Sequence, residues 1–191
     1  MGFNLALSSP SGAGKTTITK KLSQKYPNIK VSISHTTRKP RSNEIDGVDY
    51  YFVSKNDFED LITKNHFYEH AQIFDNYYGT SKEFVKKLHE KKFDVVFDID
   101  WQGTKKLSSY KELNLIKIFI LPPNKDELKK RLINRNQDNL KIVEKRLMQY
   151  ESDIQHWFDY DYIVINNDLE SCFGQIEKII KNHKKEKMSF I

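Results

Sequence analysis

Residues 9–16 have the residue types and the spacing of a phosphate-binding loop. The segment matches G-x-x-x-x-G-K-[ST] except at its first position, and it reads Ser9-Pro10-Ser11-Gly12-Ala13-Gly14-Lys15-Thr16. Consecutive backbone N–H groups in such a turn bind anions, and the helix that follows adds its positive N-terminus. Lys15 of this pattern neutralises terminal phosphates, and the Thr16 hydroxyl ligates Mg²⁺. The loop can close if Ser9 keeps an ordinary backbone conformation. The alternative is a glycine-rich turn that holds no ligand.

Two arginines lie close together on a loop that contains a proline. Arg38 and Arg41 belong to the segment HTTRKPR, which cannot be helical throughout because of Pro40. Two guanidinium groups at this spacing can clamp a phosphate through bidentate hydrogen bonds. The alternative is a solvated basic turn.

A carboxylate stands among apolar residues in the segment FYEHAQI. If this segment is a strand, Glu69 shares one face with Phe67, Ala71 and Ile73. Such a charge needs a partner, which is a ligand or a neighbouring lysine or arginine. The same stretch contains the zinc-peptidase pattern H-x-x-E-H at residues 66–70. Zinc is not expected, because that pattern requires a helix and the local residues are typical of a strand. His66 and His70 are expected at the surface.

Acidic and basic residues follow the later strands of the chain. In DVVFDID, the alternation of a strand places Val96, Asp98 and Asp100 on one face. An acidic residue at the end of a strand beside a phosphate loop holds Mg²⁺, often through water, so Asp98 is the candidate. The alternative is that either aspartate caps the next element. Arg131 and Arg135 lie four residues apart in a predicted helix and share a face, which is either functional or simply solvated.

The elements that must position these residues alternate between strands and helices. Strands are predicted at Phe3–Leu7, Val31–Ser34, 94–100, 115–121 and 162–165, and helices at Thr16–Gln24, Ser81–Glu90, Lys125–Arg135, Lys141–Phe158 and Leu169–Lys184. Turns and aromatic residues between His35 and Asn76 predict short strands and one short helix that opens at Ser54–Asp57. The alternation favours an α/β fold with a parallel sheet and an inserted substructure.

The composition is that of an ordinary globular protein of 191 residues, with 38% hydrophobic and 30% charged residues. A chain of this length favours a single domain. The net charge of +6 is spread along the chain, so no nucleic-acid partner is expected. Cys172 is the single cysteine, and no apolar run approaches membrane-spanning length. We therefore expect a soluble cytoplasmic protein without a membrane partner.

Seven segments, in their order and spacing, resemble the guanylate kinase family over essentially the whole chain. They are SSPSGAGKTT, SHTTRKPR, GVDYYF, FYEHAQI, NYYGTS, FDIDWQG and IVINNDL. The resemblance implies a P-loop kinase fold whose parallel β-sheet core, flanked by helices, comprises residues 1–33, 81–124 and 151–191. It also implies an inserted mixed α/β GMP-binding subdomain at 34–80 and a helical lid at 125–150. The implied reaction is Mg²⁺-dependent phosphoryl transfer from ATP to GMP.

The resemblance implies a role for each residue that matches a family motif. ATP would be bound by residues 9–17, which end at Thr17, and by Asn166. The GMP phosphate would be held by Arg38, Arg41, Tyr50 and Tyr78, and the guanine base by Ser34, Glu69, Thr80 and Asp100. The catalytic set would be Lys15, Arg38, Arg131, Arg135 and Arg146, and the metal ligands would be Thr16 and Asp98.

The carboxylate of Glu69 is suited to bind guanine. The N1–H and the exocyclic amino group of guanine are adjacent donors that match the two carboxylate oxygens, and adenine lacks this pair of donors. Two other functions remain open. One is a non-catalytic protein-interaction unit, against which the intact Lys15-Thr16 pair argues. The other is a related P-loop kinase for a sugar phosphate, against which Ser34, Glu69 and Thr80 argue. The oligomeric state is left open.

Overall fold

The structure, a computed structural model, describes residues 2–73, 75–134 and 140–188. Its strands are β1 (Asn4–Ser8), β2 (Ile29–Val31), β3 (His35–Thr36), β4 (Tyr51–Phe52), β5 (Phe67–Ile73), β6 (Asn76–Ser81), β7 (Asp94–Asp98), β8 (Leu115–Leu121) and β9 (Tyr162–Ile165). Its helices are α1 (Lys15–Lys25), α2 (Lys55–Thr63), α3 (Lys82–Glu90), α4 (Trp101–Leu107), α5 (Lys125–Asn134), α6 (Leu140–Ile154) and α7 (Leu169–Met188). Among these helices, none is both long enough and apolar enough to cross a membrane.

The strands form two sheets. The first has five strands in the order β2-β7-β1-β8-β9, and its β2–β7 and β8–β9 pairs are parallel. The second has four strands in the order β4-β3-β6-β5, with antiparallel β3–β6 and β5–β6 pairs. All of β1 is buried, and so is β7 except for its last residue, as is typical of parallel strands that are covered on both faces. The predicted α/β fold with a parallel sheet is confirmed.

The chain divides into two compact units. The first unit comprises Met1–Ala6 and Thr19–Ile116, and the second comprises Leu7–Ile18 and Lys117–Ile191. In the first unit, a core forms around Val95, Phe97 and Leu107. In the second unit, Leu128, Leu132 and Val143 form a smaller core between α5 and α6. The boundaries predicted for an insertion and a lid stay predictions.

Hydroxyl side chains begin two of the predicted helices. Ser54 Oγ accepts a hydrogen bond from the Asp57 backbone N–H at 3.1 Å, where α2 begins. Ser81 Oγ accepts from the Phe84 N–H at 3.2 Å, where α3 begins. A helix leaves its first N–H groups without intrahelical partners, so these two serines stabilise the starts that their sequence context predicts.

Several predicted elements have different ends in the structure; α7, for example, runs to Met188 rather than Lys184. The second strand is β2 at Ile29–Val31 rather than Val31–Ser34. The Ser32 N–H still donates to the Val96 carbonyl of β7 at 2.8 Å, but the Ser34 carbonyl already accepts from the Tyr51 N–H at 2.9 Å. The strand predicted at 94–100 ends at Asp98, because Asp100 caps α4, a helix that the sequence analysis missed. The helix predicted to reach Phe158 ends at Ile154, after which the backbone hydrogen bonds span three residues instead of four.

Candidate active site

The phosphate loop, residues 9–16, connects β1 to α1. Its residues with positive φ are Gly12 at 94° and Gly14 at 102°, a region that side chains rarely adopt. A Cβ at Gly12 would lie 2.8 Å from Leu132 Cδ2, and one at Gly14 would collide with the Asn166 amide nitrogen. Both glycines are therefore required by conformation and by space.

Ser9 has the ordinary backbone conformation that closure of the loop requires. The residue lies outside the positive-φ region, so replacing the glycine of the pattern strains no backbone. Its hydroxyl donates to the Pro10 carbonyl at 2.9 Å, and the same carbonyl accepts from the Ala13 N–H at 3.2 Å. At the start of α1, Lys15 is half-buried, whereas Thr16 and Thr17 are exposed.

Asn166 and Arg131 support the loop within the second unit. Asn166 is buried, and its Nδ2 donates to the Ala13 carbonyl at 2.7 Å. Arg131 Nη2 donates to the Asn166 carbonyl at 3.0 Å, and Arg131 Nε lies 3.4 Å from Glu127 Oε1. The resemblance implies that Asn166 binds ATP and that Arg131 is catalytic; in the structure both side chains engage protein groups, and these roles stay predictions. Arg146 is half-buried on α6, and Arg135 lies outside the described residues.

In the first unit, Arg38 and Arg41 share one carboxylate, Glu44, which the sequence analysis did not single out. Arg38 Nη2 donates to Glu44 Oε1 at 2.8 Å, and the Arg41 backbone N–H donates to Oε2 at 2.9 Å. The Arg38, Arg41 and Glu44 side chains are 17%, 29% and 12% exposed, so the cluster is largely shielded from water. Burial opposes ionisation of Glu44, but the bonds from Arg38 and Arg41 keep its pKa below the usual value. An acidic residue three positions after Arg41 was the available signal.

Two tyrosines lie beside this arginine cluster. The Arg38 guanidinium carbon is 5.3 Å from the centroid of the Tyr50 ring, and the Tyr50 and Tyr78 centroids are 6.0 Å apart. Burial, and after it the charge of Asp98, raises the pKa of the Tyr50 hydroxyl well above its usual value. The hydroxyl therefore stays protonated and can donate a hydrogen bond to an anion.

Glu69 is a buried carboxylate on β5. Phe67, Glu69 and Ala71 are buried while the residues between them are not, which confirms the predicted face up to the half-buried Ile73. Glu69 pairs in register with Thr80 on β6, and the Thr80 hydroxyl donates to Glu69 Oε1 at 2.5 Å. Burial raises the pKa of Glu69 to about 7. Its hydrogen bond comes from a hydroxyl, while the charge of the neighbouring Lys106 acts on the carboxylate without a hydrogen bond that would make it the main partner.

Asp98, Asp100 and Ser34 lie on different elements of the first unit. Asp98 ends β7 and is half-buried, whereas Asp100 Oδ1 accepts from the Gly103 N–H at 2.9 Å and caps α4. Asp100 also contributes to the raised pKa of Glu69, after burial. Ser34 is buried at the start of the segment that leads into β3.

The zinc-peptidase pattern does not form its helix. His70 lies on β5, and His66 precedes that strand. His66 Nε2 lies 2.9 Å from Ser81 Oγ, and both histidines are half-buried rather than at the surface, where they were expected. Within residues 2–73, 75–134 and 140–188, no group of three histidine, cysteine or acidic side chains is placed to hold a metal ion.

Comparison with known proteins points to one family. The guanylate kinase family model matches residues 3–183. The guanylate kinase of Rickettsia bellii is 46% identical over 97% of both chains, and that of Novosphingobium aromaticivorans is 44% identical over 94% of this chain and 81% of its own. The crystal structure of guanylate kinase from Anaplasma phagocytophilum is 33% identical, with a TM-score of 0.79 over 95% of this chain and 86% of that one.

The glycine loop that contains Lys15 and Thr16 connects a buried strand to a helix, and this strand belongs to a sheet with parallel pairs. This arrangement defines a P-loop kinase. The matched relatives narrow this class to nucleoside-monophosphate kinases. The chain belongs to the guanylate kinase family.

Proposed function

We propose that this chain transfers the terminal phosphoryl group of ATP to GMP and so makes GDP and ADP in purine nucleotide metabolism. The observation that best supports this function is the burial of Glu69. This residue is only 4% exposed, and burial disfavours ionisation of its carboxyl group. A protein gains nothing in stability from such a group, and a ligand with adjacent N–H donors accounts for it. The acceptor site lies in the first unit and the donor site in the second.

The acceptor phosphate is bound by the arginine cluster and its tyrosines. Arg38 and Arg41 supply positive charge and N–H donors, and the hydroxyls of Tyr50 and Tyr78 supply neutral donors. Glu44 cancels one of the two arginine charges, so the three side chains together carry a charge of about +1. This arrangement favours a monophosphate dianion without binding it irreversibly.

The guanine base is read by Glu69 and its neighbours. The two carboxylate oxygens accept from N1–H and from the exocyclic amino group, while Thr80 holds Oε1 in place. Ser34 and Asp100 complete the proposed base site. A site that is built to satisfy N–H donors rejects a base without them by roughly 10⁴–10⁵, because its own polar groups are stranded.

The donor is bound by residues 9–17. The N–H groups of the loop surround the phosphates of ATP, and Lys15 neutralises the charge on the transferring group. Asn166 and Arg131 hold the loop from the protein side, as their bonds to Ala13 and Asn166 suggest. Arg131, Arg135 and Arg146 are proposed to contact the transferring phosphates when ATP is bound.

Mg²⁺ fits the oxygen ligands that are available. Thr16 offers an exposed hydroxyl, and Asp98 offers a half-buried carboxylate at the end of β7. Magnesium is commonly bound through one or two protein oxygens together with substrate phosphates and waters, so a larger cluster of acidic side chains is not required. When bound, the ion neutralises charge on the phosphates of ATP.

The reaction needs no general base. An oxygen of the GMP phosphate is already anionic, and it forms the new bond to the terminal phosphorus of ATP while the bond to the bridging oxygen of ADP breaks. The protein contributes alignment and charge neutralisation through Lys15 and the arginines. A cytoplasmic location is proposed with this function, supported by the single, buried Cys172.

The proposal is tested by kcat/KM for GMP and AMP in the native chain and in Glu69→Gln. The amide turns one acceptor into a donor that opposes a guanine N–H, so we expect a loss for GMP of about 10²–10³. The KM for ATP should stay unchanged and activity with AMP should stay low. Glu59→Gln, an exposed change on α2, is the matched control. Retention of GMP efficiency within a few-fold would make Glu69 a structural carboxylate, and no ADP with any nucleotide would indicate a non-catalytic module.

A further inference from the structure

The backbone conformation of Gly103 does not explain why this residue is a glycine. It lies inside α4, where glycine is less favourable than alanine. The glycines with positive φ are Gly12, Gly14 and Gly47, so the conformation of Gly103 is open to any residue. A reason for glycine must therefore come from what surrounds it.

The Glu69 carboxylate occupies the space in which a Cβ on Gly103 would lie. An ideal Cβ built on Gly103 would lie 2.8 Å from Glu69 Oε2 and 3.1 Å from Glu69 Cδ. Real Cβ atoms essentially never come within 3.0 Å of another heavy atom, so the contact with Oε2 could not persist. The backbone of α4 thus lies directly against the carboxylate, and both residues are buried.

The two oxygens of Glu69 are placed from different sides. Oε1 accepts the hydrogen bond of the Thr80 hydroxyl at 2.5 Å on β6, while Oε2 lies next to Gly103 on α4. Thr80 was predicted as a base ligand from the resemblance, whereas Gly103, the last residue of the segment FDIDWQG, was given no role there. Together they fix where the carboxylate sits and how it is turned.

We propose that Gly103 is a positioning residue for guanine selection, because the missing side chain lets the Glu69 carboxylate occupy the place in which both oxygens meet the base. The inference rests on the proposed role of Glu69 in reading guanine. Gly103 itself touches no substrate in this account and acts only through Glu69.

The variant Gly103→Ala should move the carboxylate rather than unfold the protein. The atom that a Cβ meets is the far end of a side chain, which can turn away at little cost to the fold. Turning misaligns the carboxylate with the two N–H donors of guanine, which weakens or breaks one charged hydrogen bond. We expect kcat/KM for GMP to fall roughly 10- to 100-fold, with the KM for ATP within a factor of about two.

Gly174→Ala is the matched control. Gly174 also lies inside a helix, α7, but a Cβ at that position would meet nothing within 4 Å. The two variants add the same methyl group to a helical glycine, so they share any gain in helix propensity. We expect Gly174→Ala to leave both substrates unaffected, and an equal loss of GMP efficiency in both variants would overturn the proposal.

A double-mutant cycle separates an action through Glu69 from a general disturbance of α4. In the background of Glu69→Ala the colliding oxygen is gone, so adding Gly103→Ala should cost less than about threefold in GMP efficiency. The full 10- to 100-fold loss in that background would show that Gly103 acts elsewhere and would sink the inference. If Glu69→Ala itself keeps GMP efficiency, the proposed function fails; if only Gly103→Ala keeps it, this inference alone fails.

A second variant tests the proposal even if Gly103→Ala folds poorly. Glu69→Asp shortens the side chain by one methylene and withdraws its oxygens from the new Cβ. The double variant Gly103→Ala/Glu69→Asp should therefore recover the melting temperature of Glu69→Asp alone. A double variant that melts as low as Gly103→Ala would show that the collision is not with the carboxylate, and the proposal would be wrong.

Discussion

The two proposed nucleotide sites recognise phosphate by different means. The phosphate loop of the second unit relies on backbone, since its shape depends on positive φ at Gly12 and Gly14 and on the Asn166 amide that meets Ala13. The acceptor region of the first unit relies on side chains, since Arg38 and Arg41 meet Glu44, and Glu69 meets Thr80. A backbone loop binds the phosphates common to all nucleotides, whereas placed side chains can select one base.

This difference predicts where each site is sensitive. The donor site should depend on one charge and on the shape of the loop, so its substitutions should affect turnover. The acceptor site should show graded effects on the KM for GMP, because each side chain there contributes one part of recognition.

The largest effect is expected for Lys15→Ala. Lys15 lies at the start of α1 and is proposed to offset charge on the transferring phosphoryl group. Its loss should lower kcat by about 10³ or more, with little change in melting temperature, since only a half-buried side chain is shortened. Lys130→Ala, which removes an exposed lysine of α5, serves as control. Turnover close to that of the native chain in a steady-state assay would contradict the role of the loop.

A smaller, substrate-selective effect is expected for Arg41→Met. The change removes one guanidinium from the acceptor phosphate, so the KM for GMP should rise about 10- to 100-fold while the KM for ATP stays the same. Initial rates with each substrate varied in turn measure both constants. Lys39→Met removes an exposed charge from the same loop and should change neither. Equal changes in both KM values would argue against an acceptor-phosphate site.

Glu44→Gln tests how the arginine cluster is held. Glutamine has one carbonyl oxygen, so it cannot accept from both Arg38 and the Arg41 N–H as the carboxylate does. The loss of orientation should raise the KM for GMP about 3- to 10-fold and leave kcat nearly unchanged. Removing the negative charge acts in the opposite direction, because it strengthens attraction to a phosphate. A lower KM for GMP would mean that Glu44 competes with the phosphate rather than positioning the arginines.

Prediction from the sequence succeeded for local patterns and failed for contacts between distant residues. The loop between a strand and a helix, the helix start at Ser54 and the Glu69 face are local patterns, and the structure bears them out. The partners of these residues are not local: Asn166 reaches Ala13 across 153 positions, and Gly103 meets Glu69 across two elements. The helix α4 was missed because its seven residues include a glycine and follow a strand pattern directly. Periodicity reports which face a residue takes, but not which residue it meets there.

The last prediction concerns stability and its dependence on pH rather than activity. The folded pKa of Glu69 is raised by burial to about 7, above the usual value near 4.5. The folded state therefore binds a proton that the unfolded state has lost, and stability falls as pH rises from about 4.5 to 7. The lowered pKa of His35, about 4 because of burial, acts in the opposite direction, since stability from that residue rises with pH up to about 6.5.

Comparing Glu69→Gln with the native chain cancels the His35 contribution and isolates Glu69. Glutamine keeps the shape and can accept the Thr80 hydroxyl without a buried charge, so the variant should be more stable by about 3 kcal/mol above pH 7. The difference should approach zero below about pH 4.5. Urea unfolding across this pH range measures it, with Glu59→Gln, a change of an exposed glutamate on α2, as the control. A difference that does not vary with pH would show that Glu69 titrates normally. The proposed base site would then carry no stability cost, and the contrast between the two sites would lose its energetic support.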